Sequence, residues 1–120
     1  MDQRRQILLV DGDEEMLSVL SSAVSGLGFT ATAFADPAKA LEICSDGQRQ
    51  FTVALVSNDL LPMTGTEFAL RLREYQPQTR IYLMSGEEIP AGQHMARVAG
   101  LAGFLQKPVK SSHLAALLEQ

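Results

Sequence analysis

The sequence predicts an α/β domain built on a doubly wound, five-stranded parallel sheet. Three observations carry this. Short apolar runs alternate with longer amphipathic stretches, strand then helix, five times along 120 residues. That alternation makes the strands parallel, joined by right-handed crossovers that leave helices on both faces. The runs are also continuously apolar, as strands covered on both faces are.

Ile7-Leu8-Leu9-Val10 is the first strand. Glu14 to Leu27 follows as a helix, with Met16, Leu17, Leu20, Ala23, Val24 and Leu27 at helical spacing and Gly26 and Gly28 ending it. Phe29 to Phe34 is the second strand. Asp36 is expected to cap a short helix, Ala38 to Cys44, with Pro37 at its first position and Asp46-Gly47 closing it. Phe51 to Val56 is the third strand, and a loop holding Pro62 and Gly65 leads to a helix from Glu67 to Tyr75. That helix is expected to carry Phe68, Leu72 and Tyr75 on one face, with Pro77 just beyond its end. Arg80 to Met84 is the fourth strand. Glu88 to Ala99 is a weaker helix, because Pro90 and Gly92 sit in its first turn, and Gly100 stops it. Gly103-Phe104-Leu105-Gln106 is a short fifth strand. Ser111 or Ser112 is expected to cap a last helix carrying Leu114, Leu117 and Leu118.

Composition narrows the function. Hydrophobic residues at 46% and charged residues at 20% describe a globular chain. Residues 1–120 read as one domain. The net charge of −4 argues against a nucleic-acid-binding face. Cys44 is the single cysteine, which excludes an intrachain disulfide and a cysteine-built zinc site. The apolar stretch after the N-terminus is too short for a signal peptide or a membrane span, so the cytoplasm is the expected compartment and no membrane partner is expected.

Ligands of an open parallel sheet bind outside the carboxyl ends of its strands. Asp11-Gly12-Asp13-Glu14-Glu15 follows the first strand, Ser57-Asn58-Asp59 the third, Ser85-Gly86 the fourth and Lys107-Pro108 the fifth. One acidic cluster, two hydroxyls and a lysine therefore share one edge.

On these residues the chain resembles the receiver domain of two-component response regulators, over nearly its whole length. The resemblance is carried by Ile7-Leu8-Leu9-Val10-Asp11, Pro62-Met63-Thr64-Gly65, Ser85, and Gly103-Phe104-Leu105-Gln106-Lys107-Pro108. It implies the flavodoxin-like receiver fold with strand order 2-1-3-4-5. It also implies a phosphorelay chemistry, in which a histidine kinase passes a phosphoryl group to an aspartate ending the third strand. Acids after the first strand hold magnesium there, and a hydroxyl and a lysine grip the phosphoryl oxygens. Carried over position by position, Asp11 matches the first acid, Ser85 the hydroxyl, Lys107 the lysine and Phe104 the aromatic switch. Gly12 falls where the family usually has a second acid.

The acceptor departs from the family. Alignment on Met63-Thr64-Gly65 puts Ser57 at that position, and alignment on Pro62 puts Asn58 there. Ser57 is preferred because it keeps Val53 to Val56 in register. A serine hydroxyl needs a base to become a nucleophile, and an asparagine amide is none. Magnesium wants octahedral oxygen coordination with carboxylates supplying charge. With two of three acids gone, no cofactor is expected, and magnesium is expected to bind weakly or not at all. Asp11, Asp13 and Asp59 are the candidate oxygens. One acid facing one lysine balances charge, so a direct Asp11–Lys107 ion pair is expected to close the pocket.

Plainer roles stand beside these. Asp13 is better placed to cap the first helix than to hold a metal. Ser57 fills space more readily than it takes phosphate, and Phe104 reads as a fixed core residue rather than a switch. Cys44 reads as core, and His94 and His113 as solvated side chains without a catalytic role.

The reading favoured is an atypical receiver, not an enzyme, that acts through protein contacts without normal aspartyl phosphorylation. Its partner would be a sensor kinase, an effector domain or a second copy, met through the face formed by residues 88–118. The main alternative is a phosphorylation-competent receiver with an unorthodox acceptor, Ser57 or Asp59. Asp11-Gly12-Asp13 is also similar to the nucleophile motif of haloacid-dehalogenase phosphatases, with Asp11 and Asp13 in the two roles, but no late acidic pair follows Lys107 to hold their magnesium. A flavin-binding flavodoxin is disfavoured because Asp11 to Glu15 would repel a phosphate.

Overall fold

Parallel pairing runs through the whole sheet, in the order β2-β1-β3-β4-β5. A computed structural model describes residues 5–60, 62–86 and 100–119. Its strands are β1 (Gln6–Val10), β2 (Thr30–Phe34), β3 (Val53–Ser57), β4 (Arg80–Ser85) and β5 (Gly103–Gln106). Its helices are α1 (Glu14–Gly26), α2 (Pro37–Ser45), α3 (Gly65–Tyr75) and α4 (Ser111–Leu118). The predicted helix over Glu88 to Ala99 lies outside the described residues.

Strand side chains alternate between two cores. Leu8, Val10, Ala54, Val56, Ile81 and Leu83 face α2 and α3, where Leu41, Phe68 and Leu72 meet them. Ile7, Leu9, Val53, Leu55, Tyr82 and Met84 face α1 and α4, against Leu17, Leu20, Val24, Leu114 and Leu118. Burying both faces explains why the central strands carry almost no polar residue.

Local chemistry starts three of the helices. Asp13 Oδ1 accepts from the N–H groups of Glu15 and Met16, at 3.0 and 3.2 Å. Asp36 accepts from Ala38 N at 2.9 Å with Pro37 in the first turn, and Thr64 accepts from Glu67 N at 3.1 Å. The last helix departs from expectation. Lys110 occupies its cap position with no side-chain cap bond, and Ser111 and Ser112 are its first two residues. Its far end is held instead by two arginines, one just before β1 and one opening β4: Arg5 donates to Leu118 O at 3.3 Å and Arg80 to Leu117 O at 3.4 Å.

Three further expectations are corrected. Tyr75, expected on one face with Phe68 and Leu72, is 46% exposed where those two are fully buried. The third helix begins at Gly65, two residues before Glu67, once Thr64 caps it. The third strand begins at Val53 and reaches Ser57, because the amide of Phe51 is taken by a side chain. Gln76 Oε1 accepts from Phe51 N at 3.0 Å and from Thr79 Oγ1 at 3.2 Å. Gln76 Nε2 donates to Arg49 O at 2.6 Å and to Cys44 O at 3.4 Å. This buried amide thus ties the α2–β3 loop to the end of α3, with every polar atom partnered.

Candidate functional site

Strand order and side-chain alternation together decide which residues meet at the carboxyl edge. The strand order reverses between β1 and β3, so the ends of those strands flank the switch point. Asp11 continues the alternation of Ile7 and Leu9, Ser57 that of Val53 and Leu55, and Lys107 that of Leu105. All three fall on the α1/α4 side of the sheet. The backbone ladder continues past each strand end and fixes their height: Asp11 N donates to Phe34 O at 3.2 Å, Asn58 N to Met84 O at 2.8 Å, and Lys107 N to Ser85 O at 2.7 Å. The long lysine side chain then reaches across from β5.

The result is a three-residue cluster. Lys107 Nζ lies 2.8 Å from Asp11 Oδ2 and donates to Ser57 Oγ at 3.1 Å. Asp11 is 2% exposed and Ser57 1%. Asp13 N donates to Asp11 Oδ1 at 3.0 Å and fixes the carboxylate plane. The ammonium meets Oδ2 as an ion pair, off the aligned hydrogen-bond direction, so this buried oxygen has a charge rather than a hydrogen bond as its partner. Ser57 Oγ also accepts from Asp59 N at 3.2 Å, so two donors occupy its two lone pairs. The Lys107–Pro108 peptide is cis.

The other predicted residues sit around this cluster. Ser85 is buried at the end of β4, on the alternation of Ile81 and Leu83, the opposite side of the sheet from Ser57. Phe104 pairs with Leu83 in the sheet and is half-buried against the α2/α3 core. Asn58 is half-buried, and its carbonyl accepts from Gly65 N at 3.2 Å. Asp59 is exposed, and its backbone N–H is the atom that contacts Ser57. The carboxylate of Asp13 is engaged in capping. His113 is exposed, and His94 lies outside the described residues. Among the described residues no three His, Cys, Asp or Glu side chains are placed to share a metal ion.

Two supports of the site were not apparent in the sequence. A Cβ on Gly65 would collide with the carbonyl oxygen of Ser57 and come within 2.9 Å of Asn58 Cα, so only glycine lets α3 start this close to the end of β3. The loop glycine was visible as punctuation, but its partner was not. Gln76 is the second, and nothing local marked a glutamine after a helix as buried.

A doubly wound sheet of this order, with an acid, a hydroxyl and a lysine gathered at its carboxyl edge, defines the class of phosphorelay receivers. The response regulator receiver domain model matches residues 7–119, and the chain belongs to that family. The chain is 33% identical over 108 residues to the Regulator of RpoS of Escherichia coli K12, covering 88% of this chain and 31% of that protein. It therefore spans about a third of the length of the curated relatives it matches. Among solved structures, the receiver domain of an HD domain-containing protein from Pseudomonas fluorescens Pf-5 superposes with a TM-score of 0.86 at 26% identity, covering 98% of this chain and 94% of that one. Chemotaxis protein CheY4 of Vibrio cholerae superposes at 0.87 and 24% identity, covering 97% of each chain, and shares the fold. The chain is thus a receiver domain of two-component signalling, a class that generally signals by contact with kinases and effectors rather than by catalysis. Among the described residues no helix is long and apolar enough to cross a membrane.

Proposed function

We propose that this receiver works in the cytoplasm in a single, unphosphorylated state and transmits its signal through protein contacts. The observation that carries the proposal is the ammonium of Lys107, shared between Asp11 at 2.8 Å and Ser57 at 3.1 Å. In this reading Ser57 stands at the phosphoacceptor position, and Asp11, Ser85 and Lys107 are what remains of the phosphoryl pocket. An unmodified hydroxyl attacks phosphorus only through a free lone pair and a nearby base. The lone pairs of Ser57 are engaged by two donors, and one of them, the ammonium of Lys107, is ion-paired with Asp11 and offers no base. Asp59 reaches the pocket through its amide rather than its carboxylate.

The donor set also argues against a firmly held magnesium ion. Magnesium sites draw their charge from carboxylates in octahedral array. Here one carboxylate faces one ammonium, Gly12 offers no side chain, and Asp13 is spent on α1. The residues present do not fit the ion. The Regulator of RpoS is itself named as a regulator. By that likeness the output partner is another protein: a sensor kinase, an effector domain or a second copy.

The test is incubation with acetyl phosphate, or with beryllofluoride and magnesium, followed by NMR of Ser85, Phe104 and Lys107. Unchanged spectra and unchanged mass are expected. Stoichiometric phosphorylation, or saturable shifts at those three residues, would establish the phosphorylation-competent alternative instead.

A further inference from the structure

A groove of about 240 Å³ runs between α2 and α3. Ala38, Glu42 and Ser45 line it from α2, Arg71 and Tyr75 line it from α3, and Met63 adds to it from the loop before α3. Tyrosine, methionine and arginine are residue types that the core of a protein interface favours. Tyr75 is nearly half exposed, and Glu42 and Arg71 are exposed. These two charges stand on opposite walls, and among the described residues neither forms an ion pair, with the other or elsewhere. One acid and one cation are thus left unspent in a single groove.

The charges select the occupant. A ligand of one sign would be drawn to one wall and repelled by the other. A second copy, turned about a twofold axis, brings its Glu42 to Arg71 and its Arg71 to Glu42, so both charges are met at once. The net charge of −4 does not fall on this face. α2 carries Lys39 and Glu42, and α3 carries Glu67 and Glu74 with Arg71 and Arg73, so each helix is neutral. α1, by contrast, carries Glu14 and Glu15 and no lysine or arginine. Ala38 and Ser45 are short, which leaves room for the partner's tyrosine ring.

We propose that the α2–α3 face pairs two copies of this chain in an isologous dimer, held by two reciprocal Glu42–Arg71 ion pairs with Tyr75 packed between them. The proposal rests on the reading that the output runs through protein contacts. It adds the partner, a second copy, and a surface that lies outside residues 88–118.

The experiment is sedimentation of the domain across a concentration series, with NMR shifts read over the same series. A dimer fraction that rises with concentration is expected, with shifts at Ala38, Glu42 and Tyr75. Arg71→Glu and Glu42→Arg, both at exposed positions, are each expected to weaken the dimer about tenfold or more, with an unchanged circular dichroism spectrum. Mixed in equal amounts, the two variants are expected to form a heterodimer within about threefold of the wild-type affinity, because every glutamate then faces an arginine of the partner. No contact within one chain can produce that rescue. A chain that stays monomeric at millimolar concentration, a dimer that neither charge reversal weakens, or a mixture that stays monomeric overturns the proposal. A response to acetyl phosphate would sink the single-state reading without touching this face. A monomer at every concentration would sink the dimer and leave the phosphorylation result standing.

Discussion

Replacing Lys107 by methionine removes the charge at the centre of the site while keeping most of the aliphatic stem. At 2.8 Å, and with an effective dielectric constant near 20, the Asp11–Lys107 attraction is about 6 kcal/mol before desolvation is subtracted. Both side chains are largely withdrawn from water, at 3% and 19% exposure, so much of that attraction is offset in the intact pair. The single substitution does not recover the offset, because Asp11 stays buried and loses its counter-charge. Breaking such a pair costs about 3–5 kcal/mol, and the partial exposure of Lys107 places this case near the lower end, about 3 kcal/mol. Asp11→Asn should cost less, about 2 kcal/mol, because the freed ammonium can turn to water and the amide oxygen can still accept from Asp13 N. The double variant leaves neither charge and should lie close to the Asp11→Asn value. The cycle then gives a coupling of about 3 kcal/mol, well above the roughly 0.5 kcal/mol scatter of independent sites. Urea unfolding followed by circular dichroism measures all four proteins, and Lys107→Met should move the midpoint down by about 1–2 M. Additive single effects, or a Lys107→Met midpoint equal to wild type, would refute the reasoning that this pair closes the pocket.

Gln76→Leu keeps the volume but strands the amide of Phe51 and the carbonyls of Arg49 and Cys44, so a loss of about 3 kcal/mol and faster hydrogen exchange at Phe51 are expected. Burial raises the Cys44 thiol to about 11, with Arg49 pulling it down and Asp46 pushing it up by lesser amounts. The unfolded chain then loses this proton first as pH rises, so the contribution is whole below about pH 9 and disappears by about pH 11. The fall is roughly 1–3 kcal/mol, and Cys44→Ala should flatten it in denaturation curves taken across that range. A Cβ at Gly12 meets nothing within 4 Å, so Gly12→Asp together with Ser57→Asp should build an acidic triad with Asp11 and give calorimetrically stronger magnesium binding than the parent chain.

The sequence alone decided the class of the fold and the edge where the chemistry lies. Apolar runs such as Ile7 to Val10 and Val53 to Val56 are long enough only for strands buried on both faces, and Asp36-Pro37 starts a helix by backbone chemistry that needs no distant partner. Those are local properties, and local properties are legible one residue at a time. The expectation that Asp13 caps was within reach for the same reason, since it is a helix-start signal, whereas the meeting of Asp11 with Lys107 was reached through the family resemblance and a balance of two charges.

Tertiary structure alone decided where polar groups without local partners went. Gln76 reads as a solvated residue after a helix, yet it finds Phe51 and Cys44, 25 and 32 positions away, because the packing of α2 against α3 closes over it. Ser111 and Ser112 read as caps, yet α4 is secured at its other end by Arg5 and Arg80, which the fold delivers from far along the chain. Ser57 was placed by alignment, but the loss of its free lone pairs depends on Lys107 reaching across from two strands away. A hydrogen bond across the fold depends on the separation and angle of two groups in space. Those are fixed only when the whole sheet is assembled, and no window of sequence contains them.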